Sequence, residues 1–224
     1  MITNRTYSLV LLFVVAFAGC SATRWNGLTN PFGDDSPIEI GDPLFANSKP
    51  GKVREIQRIA AEAKAQSPAE QTQAAKSLVS RIHSEDDRVL RLELIRALGS
   101  LRTPIATEGL RTAIGDPRDE IRVAACEALR KLRSAEALVL LREVLATDPN
   151  LDVRVAATRA IADFEGREAI AALLPAINDP DPALQYTAVQ SMKRLHSEDL
   201  GNSVAAWQQL ARGINSATDD TQLR

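Results

Sequence analysis

Apolar residues recur at helical spacing along most of the chain. In the segment 116–132, DPRDEIRVAACEALRKL, one helical face collects the apolar residues Ile121, Ala125, Ala128, Leu129 and Leu132. The opposite face carries charged side chains. Asp116 and Pro117 suit the N-cap and the first helical position, because aspartate accepts a free backbone N–H and proline has none to leave unpaired. The pattern therefore predicts an amphipathic helix capped by Asp116.

The same pattern occurs in four copies, which begin at Leu90, Ile121, Val153 and Leu184, at spacings of 31, 32 and 31 residues. Shorter amphipathic segments between and after them predict second helices at about 104–114, 135–145, 167–177 and 202–214. Pro175 lies late in one of these helices and is expected to kink it. Another helical pair, about 52–66 and 68–82, precedes the four copies.

A single pair of short helices cannot bury its apolar face, whereas stacked pairs share one continuous core. We therefore predict an all-α fold, an α-solenoid of about five antiparallel helical pairs. The low aromatic content, 4% of residues, agrees with a core packed from alanine and leucine at helical spacing.

The repeated motif D-P-x-x-x-V-R-x-x-A-x-x-A-L-x-x-L resembles HEAT repeats, of the short class also found in phycobilisome-lyase-like proteins. The resemblance covers about 84–200 well and 52–83 loosely. It implies an armadillo-type superhelix that serves as a scaffold or adapter for another protein. The alternative that the resemblance implies is a lyase-like enzyme or an enzyme accessory. A repeat motif specifies a fold more closely than a function, so both remain open.

One column of the repeats is charged. Three copies carry an arginine after the first apolar residue and the last copy carries glutamine, namely Arg91, Arg122, Arg154 and Gln185. Six residues before each lies an acid, namely Glu85, Asp116, Asp148 and Asp179. In HEAT-like folds such columns resemble structural ladders, in which an acid at one helix start accepts hydrogen bonds from an arginine of the neighbouring repeat. An anion-binding stripe of arginines on the concave face is the alternative.

The first 20 residues are typical of an export signal, with Arg5 followed by the apolar run Leu9 to Ala18. The run is too short to cross the hydrocarbon core, which takes about 20 residues. The sequence Phe17-Ala18-Gly19-Cys20 resembles the lipobox of bacterial lipoproteins, although Phe17 departs from the usual aliphatic residue. The resemblance implies lipid attachment at Cys20 and a membrane-anchored protein facing the periplasm or the cell exterior. Ser21 resembles a signal for the outer membrane in diderm bacteria, and ordinary cleavage at a small residue is the alternative.

The remaining segments divide by composition. Residues 21–51 are rich in Pro, Gly, Asn and Asp and predict a largely irregular tether, with a docking motif for a second protein as the alternative. Residues 52–214 form the predicted repeat domain, and the polar residues 215–224 predict a disordered tail.

The balance of charged residues and the positions of the histidines and Cys126 limit the classes of function that the sequence supports. The stretch from Lys52 to Arg212 holds 23 Lys and Arg against 23 Asp and Glu, so it lacks the cationic excess typical of nucleic-acid binding. His-Ser-Glu-Asp occurs at 83–86 and at 196–199, where it fits helix ends better than a metal site, and Cys126 fits a packing position. We predict no catalytic residue, metal, cofactor or small-molecule substrate. The expected partners are another protein and, through Cys20, a membrane.

Overall fold

The computed structural model describes the backbone of residues 46–222 and the side chains of residues 46–216. The predicted signal peptide, Cys20 and the part of the tether before residue 46 lie outside these residues. Within them every regular element is a helix. The helices are α1 Lys49–Lys64, α2 Pro68–Ser84, α3 Arg88–Leu98, α4 Pro104–Ala113, α5 Asp119–Leu132, α6 Ala135–Thr147, α7 Leu151–Ile161, α8 Arg167–Ala172, α9 Leu174–Ile177, α10 Pro182–Leu195 and α11 Val204–Gln222.

The helices form two layers of stacked repeats. The first helix of each pair packs against the first helix of the next, which gives a first layer of α1, α3, α5, α7 and α10. The second helices form the second layer, α2, α4, α6, α8 with α9, and α11. The prediction of an all-α solenoid of about five helical pairs is confirmed. None of the described helices carries an apolar stretch long enough to cross a membrane.

The core lies between the two layers, where the repeat pattern places it. All five apolar residues of the 116–132 pattern are buried, and Ile121, Ala125 and Leu129 are fully so. Each fully buried leucine or isoleucine stabilises the fold by roughly 1.5–3 kcal/mol. Neighbouring repeats also approach closely at Gly99, where a Cβ atom would lie 2.8 Å from the Cα of Ala128. Only glycine fits between α3 and α5 at that point.

The loop acids do not cap the helices that follow them, so the prediction of Asp116 as an N-cap is wrong. The helix α5 begins at Asp119, and its N-cap Arg118 has an extended backbone with φ −90° and ψ 123°. The Asp116 carboxylate accepts the backbone N–H of Arg118 at 2.9 Å and so stabilises a turn before the helix. In the other copies the N-cap likewise lies two residues after the acid of the charged column, at Asp87, Asn150 and Asp181.

The second layer shows the expected break and an unexpected extension. The predicted helix 167–177 divides into α8 and α9 at Leu173, two residues before Pro175, which cannot donate a backbone hydrogen bond. The last helix continues to Gln222, whereas a disordered segment was expected from residue 215. No glycine or proline follows Gly213, and each residue added to an existing helix gains a backbone hydrogen bond.

Candidate functional site

A groove of about 670 Å³ crosses the outer surface of the first layer. It spans three consecutive repeats, since its walls come from α5, α7 and α10 and from the loop after α7. The charged and larger apolar residues that line it include Val123, Glu127, Arg130, Asp152, Val155, Arg159, Asp163, Tyr186 and Arg194. Because each wall comes from a different repeat, the stacking of the repeats sets the width of the groove.

An apolar row runs along the groove. Val123, Val155 and Tyr186 occupy the same position in successive copies of the repeat, two residues after the first buried apolar residue. The two valines are partly buried, whereas Tyr186 is 65% exposed. Exposed tyrosine beside aliphatic side chains is typical of protein interfaces, where tyrosine contributes a large contact area at a low cost in conformational entropy. The row is therefore a surface suited to contact with a protein.

Asp163 joins the three repeats at one edge of the groove. Its Oδ2 accepts a hydrogen bond from Arg130 Nη1 of α5 at 2.6 Å, and its Oδ1 accepts one from Arg194 Nη2 of α10 at 2.5 Å. Its backbone carbonyl accepts a hydrogen bond from Arg133. The hydrogen bond from Arg130 lowers the pKa of Asp163 below its ordinary value, so the carboxylate stays charged at neutral pH. The repeat pattern in the sequence does not predict this cluster.

The predicted charged column lies at the opposite end of the first-layer helices. Arg122 pairs with Asp148 of the following repeat through two hydrogen bonds, Nε to Oδ2 at 2.7 Å and Nη2 to Oδ1 at 3.0 Å. Arg91 lies 3.1 Å from Asp116, and Arg154 lies 3.3 Å from Asp179. Each arginine of the column therefore contacts the loop acid of the next repeat.

The same side chains also bind their own loops. Arg122 Nη1 donates to the backbone carbonyl of Asp116 at 2.9 Å, and Arg91 and Arg154 make the equivalent contacts. In the last copy Gln185 Nε2 donates to the carbonyl of Asp179 at 2.8 Å. The arginine side chains of the column are at most 20% exposed. An anion-binding stripe would need these guanidinium groups to face solvent, and they face carboxylates of the same chain.

Asp116 is the most deeply buried acid of the column, with a side-chain exposure of 0%. Burial alone would raise its pKa, but hydrogen bonds from Arg118 and the charge of Arg91 outweigh burial and hold the pKa below its ordinary value. The acid is therefore ionised at neutral pH, and its charge is balanced by two arginines.

The described cysteine is buried, and both histidines contact neighbouring groups of the same chain. Cys126 is fully buried, and burial raises the pKa of its thiol to about 12, far from the range of a reactive thiolate. His83 Nδ1 lies 2.9 Å from the carbonyl of Val79, and the His196 ring packs edge-on against Trp207. Within residues 46–216, no cluster of His, Cys, Asp and Glu could hold a metal ion.

Comparison with known proteins agrees with this architecture. The sequence profile described as HEAT repeats matches residues 75–162 and 140–222. No curated protein matches the chain. Among solved structures, the complex of CpcE and CpcF of phycocyanin lyase from Nostoc sp. PCC7120 is similar with a TM-score of 0.51 and 21% identity, over 74% of this chain and 70% of that one. An engineered protein has a TM-score of 0.45 and 16% identity, over 77% of this chain and 94% of that one.

The predicted resemblance to HEAT repeats is confirmed, because the two matched ranges together cover more than half of the chain. At 21% identity, the similarity to the lyase complex shows the solenoid fold. The chain belongs to the HEAT-repeat family.

Proposed function

We propose that this protein is a lipid-anchored, extracytoplasmic scaffold or adapter that binds another protein in the groove of α5, α7 and α10. The observation that carries the proposal is the groove itself, which brings an exposed tyrosine, an aliphatic row and charged side chains from three repeats onto one surface. Solenoids commonly use such extended surfaces for protein binding, because stacked repeats present side chains in regular rows. The similar lyase structure is likewise a complex of two proteins, which supports a protein partner.

A photo-crosslinking residue in place of Tyr186 tests the binding surface. We expect it to give one discrete crosslinked product in intact membranes, because Tyr186 is 65% exposed at the rim of the groove. The matched control replaces Val139, which is 62% exposed but lies on α6 in the second layer. Equal products from both positions, or products from Val139 alone, would place the binding surface elsewhere.

The membrane anchor is a second part of the proposal and is supported by the sequence. An apolar run followed by Gly19-Cys20 resembles a lipoprotein signal, and each buried methylene of an attached acyl chain contributes about 0.8 kcal/mol to membrane binding. Several chains on one cysteine hold a protein firmly at a bilayer. A scaffold held in this way would concentrate its partner at the membrane surface.

We expect Cys20→Ala to move the protein from the membrane fraction to the soluble fraction and to abolish labelling with a radioactive fatty acid. Alanine cannot form the thioether that carries the lipid. Cys126→Ala is the matched control, because Cys126 is fully buried in the repeat core and its loss should leave the labelling unchanged. If the Cys20→Ala protein stays in the membrane with full labelling, the proposed anchor is wrong.

A lyase-like enzyme or an enzyme accessory is the second candidate function. Its support is the structural similarity to the phycocyanin lyase complex. The absorption spectrum of a bilin mixed with the purified chain separates the candidates, because an enzyme of this kind would shift the spectrum and a scaffold would not.

A further inference from the structure

The charges in the groove are separated along its walls. Arg130, Arg159 and Arg194 lie toward the C-terminal ends of the three helices and define an arginine edge. Asp152 lies near the N-terminal end of α7, seven residues before Arg159 and thus about 10 Å along the helix. Glu127 lies one turn before Arg130, beside the apolar row. An occupant would therefore meet three arginines at one side of the groove and Asp152 at the other.

We propose that the groove takes an acidic segment of a partner protein, with carboxylates at the arginine edge and an apolar side chain over Val155. This inference rests on the proposed function and adds the chemistry of the partner. Guanidinium groups bind carboxylates through two parallel hydrogen bonds, and Asp163 already shows that a carboxylate fits between Arg130 and Arg194.

The arginine edge keeps donors available for such a segment. A guanidinium carries five N–H donors, and Arg130 gives one of its terminal nitrogens to Asp163 while its side chain remains 40% exposed. Arg194 is 57% exposed. Arg159 is exposed and forms no ion pair with any residue between 46 and 216. Among residues 46–216, Asp163 is the one acid that pairs with these three arginines, so they carry more positive charge than it balances.

A protein segment fits this surface better than an anionic membrane does. The arginines lie in the wall of a groove, which a flat bilayer cannot enter as closely as a peptide. Asp152 and Glu127 lie on the same surface and would be repelled by anionic headgroups. A peptide can place its acidic residues at the arginine edge alone, with its apolar residues on the valine row.

The test uses the full chain and two short fluorescein-labelled peptides, one of alternating Glu and Leu and one of alternating Lys and Leu. By fluorescence anisotropy at low salt, we expect the Glu–Leu peptide to bind at least about tenfold more tightly than the Lys–Leu peptide. Arg159→Glu should weaken its binding about fivefold, the effect of one partly exposed ion pair. That variant breaks no ion pair within residues 46–216, so circular dichroism should show an intact fold. Arg142→Glu, on the exposed surface of α6, is the matched control and should leave binding unchanged.

Three outcomes would overturn the inference. The first is equal binding of both peptides, and the second is a loss of binding that is the same for Arg142→Glu as for Arg159→Glu. The third is binding to phosphatidylglycerol vesicles that Arg159→Glu abolishes while the Glu–Leu peptide does not bind, since the arginine edge would then recognise lipid headgroups.

If the crosslinker at position 186 captures a protein but the Glu–Leu peptide does not bind, the acidic partner is wrong and the scaffold function stands. If the crosslinker also fails, the proposed function itself is wrong.

Discussion

Arg122→Gln is expected to lower the free energy of unfolding by about 3 kcal/mol, because it leaves the carboxylate of Asp148 buried without its cation. The Asp148 side chain is only 6% exposed and receives two hydrogen bonds from Arg122. For a chain of this length the loss corresponds to a decrease of about 9 °C in melting temperature, measured by circular dichroism.

Glutamine is the informative replacement because the protein already uses it in the last repeat. Gln185 keeps the hydrogen bond to the carbonyl of Asp179 at 2.8 Å and, as an uncharged residue, forms no ion pair. By analogy, Arg122→Gln can keep the hydrogen bond to the Asp116 carbonyl while it loses the ion pair to the next repeat. The variant therefore isolates the contact between repeats from the contact within one.

Two further variants complete this test. Adding Asp148→Asn to Arg122→Gln removes the unpaired charge and should recover part of the lost stability, which a double-mutant cycle measures. Arg142→Gln changes the same residue type on an exposed surface and should change the free energy of unfolding by less than about 0.5 kcal/mol. Binding at the groove should be unchanged in Arg122→Gln, since Arg122 does not line it. A variant of normal stability that loses partner binding would instead support the anion-binding stripe.

The solenoid could be predicted from the sequence because every copy of the repeat has apolar residues at the same positions, and these must be buried. The first apolar residues of the four copies, Leu90, Ile121, Val153 and Leu184, are all buried to at least 96%. A single amphipathic helix could pack in many ways, but four in register must share a core. The family resemblance followed from the same positions.

The starts of the helices were harder to predict because an aspartate before proline can accept a hydrogen bond in two different local structures. An aspartate before proline can cap a helix, or it can accept the next backbone N–H in a turn that precedes the helix. At Asp116 the burial of the carboxylate and its contacts with Arg91 and Arg118 accompany the second arrangement. Those contacts come partly from another repeat, so the local sequence does not contain the information that decides between them.

The groove and its Asp163 cluster could not be predicted from the repeat pattern for a related reason. Asp163 is equivalent to Ser100, Lys131 and Arg194 in the other copies, so no periodic signal marks it. Its partners Arg130 and Arg194 lie 33 residues before it and 31 after it, and only the stacking of three repeats brings them together. Positions where the copies differ, such as Tyr186 beside the two valines, were the available signal.

Trp207 is the largest of the buried side chains that pack the helix α11 onto the rest of the solenoid. Its side chain is fully buried, its Nε1 donates to the carbonyl of Gly201 at 2.9 Å, and its ring meets His196 edge-on at 6.0 Å between centroids. The helix α11 that carries it covers α8 and α9 and also contacts α10. End repeats of a solenoid need such a covering surface, since no further repeat buries their apolar side chains.

Trp207→Ala is therefore expected to lower the free energy of unfolding by about 4 kcal/mol, in the range for deleting a buried aromatic ring. Hydrogen exchange should show the amides of α11 losing protection before those of α5. Trp207→Phe keeps most of the ring and loses the hydrogen bond, so it should cost only about 1 kcal/mol. Val139→Ala is the surface control and should change neither quantity.

The variant Trp207→Ala also tests whether α11 supports the groove. α10 carries Tyr186 and Arg194, so loosening α11 should let this wall of the groove move and should reduce crosslinking from position 186. Trp207→Phe should keep both the protection of α11 and the crosslink. If Trp207→Ala loses protection in α11 but keeps full crosslinking, Asp163 and its arginines hold the groove in place without support from α11.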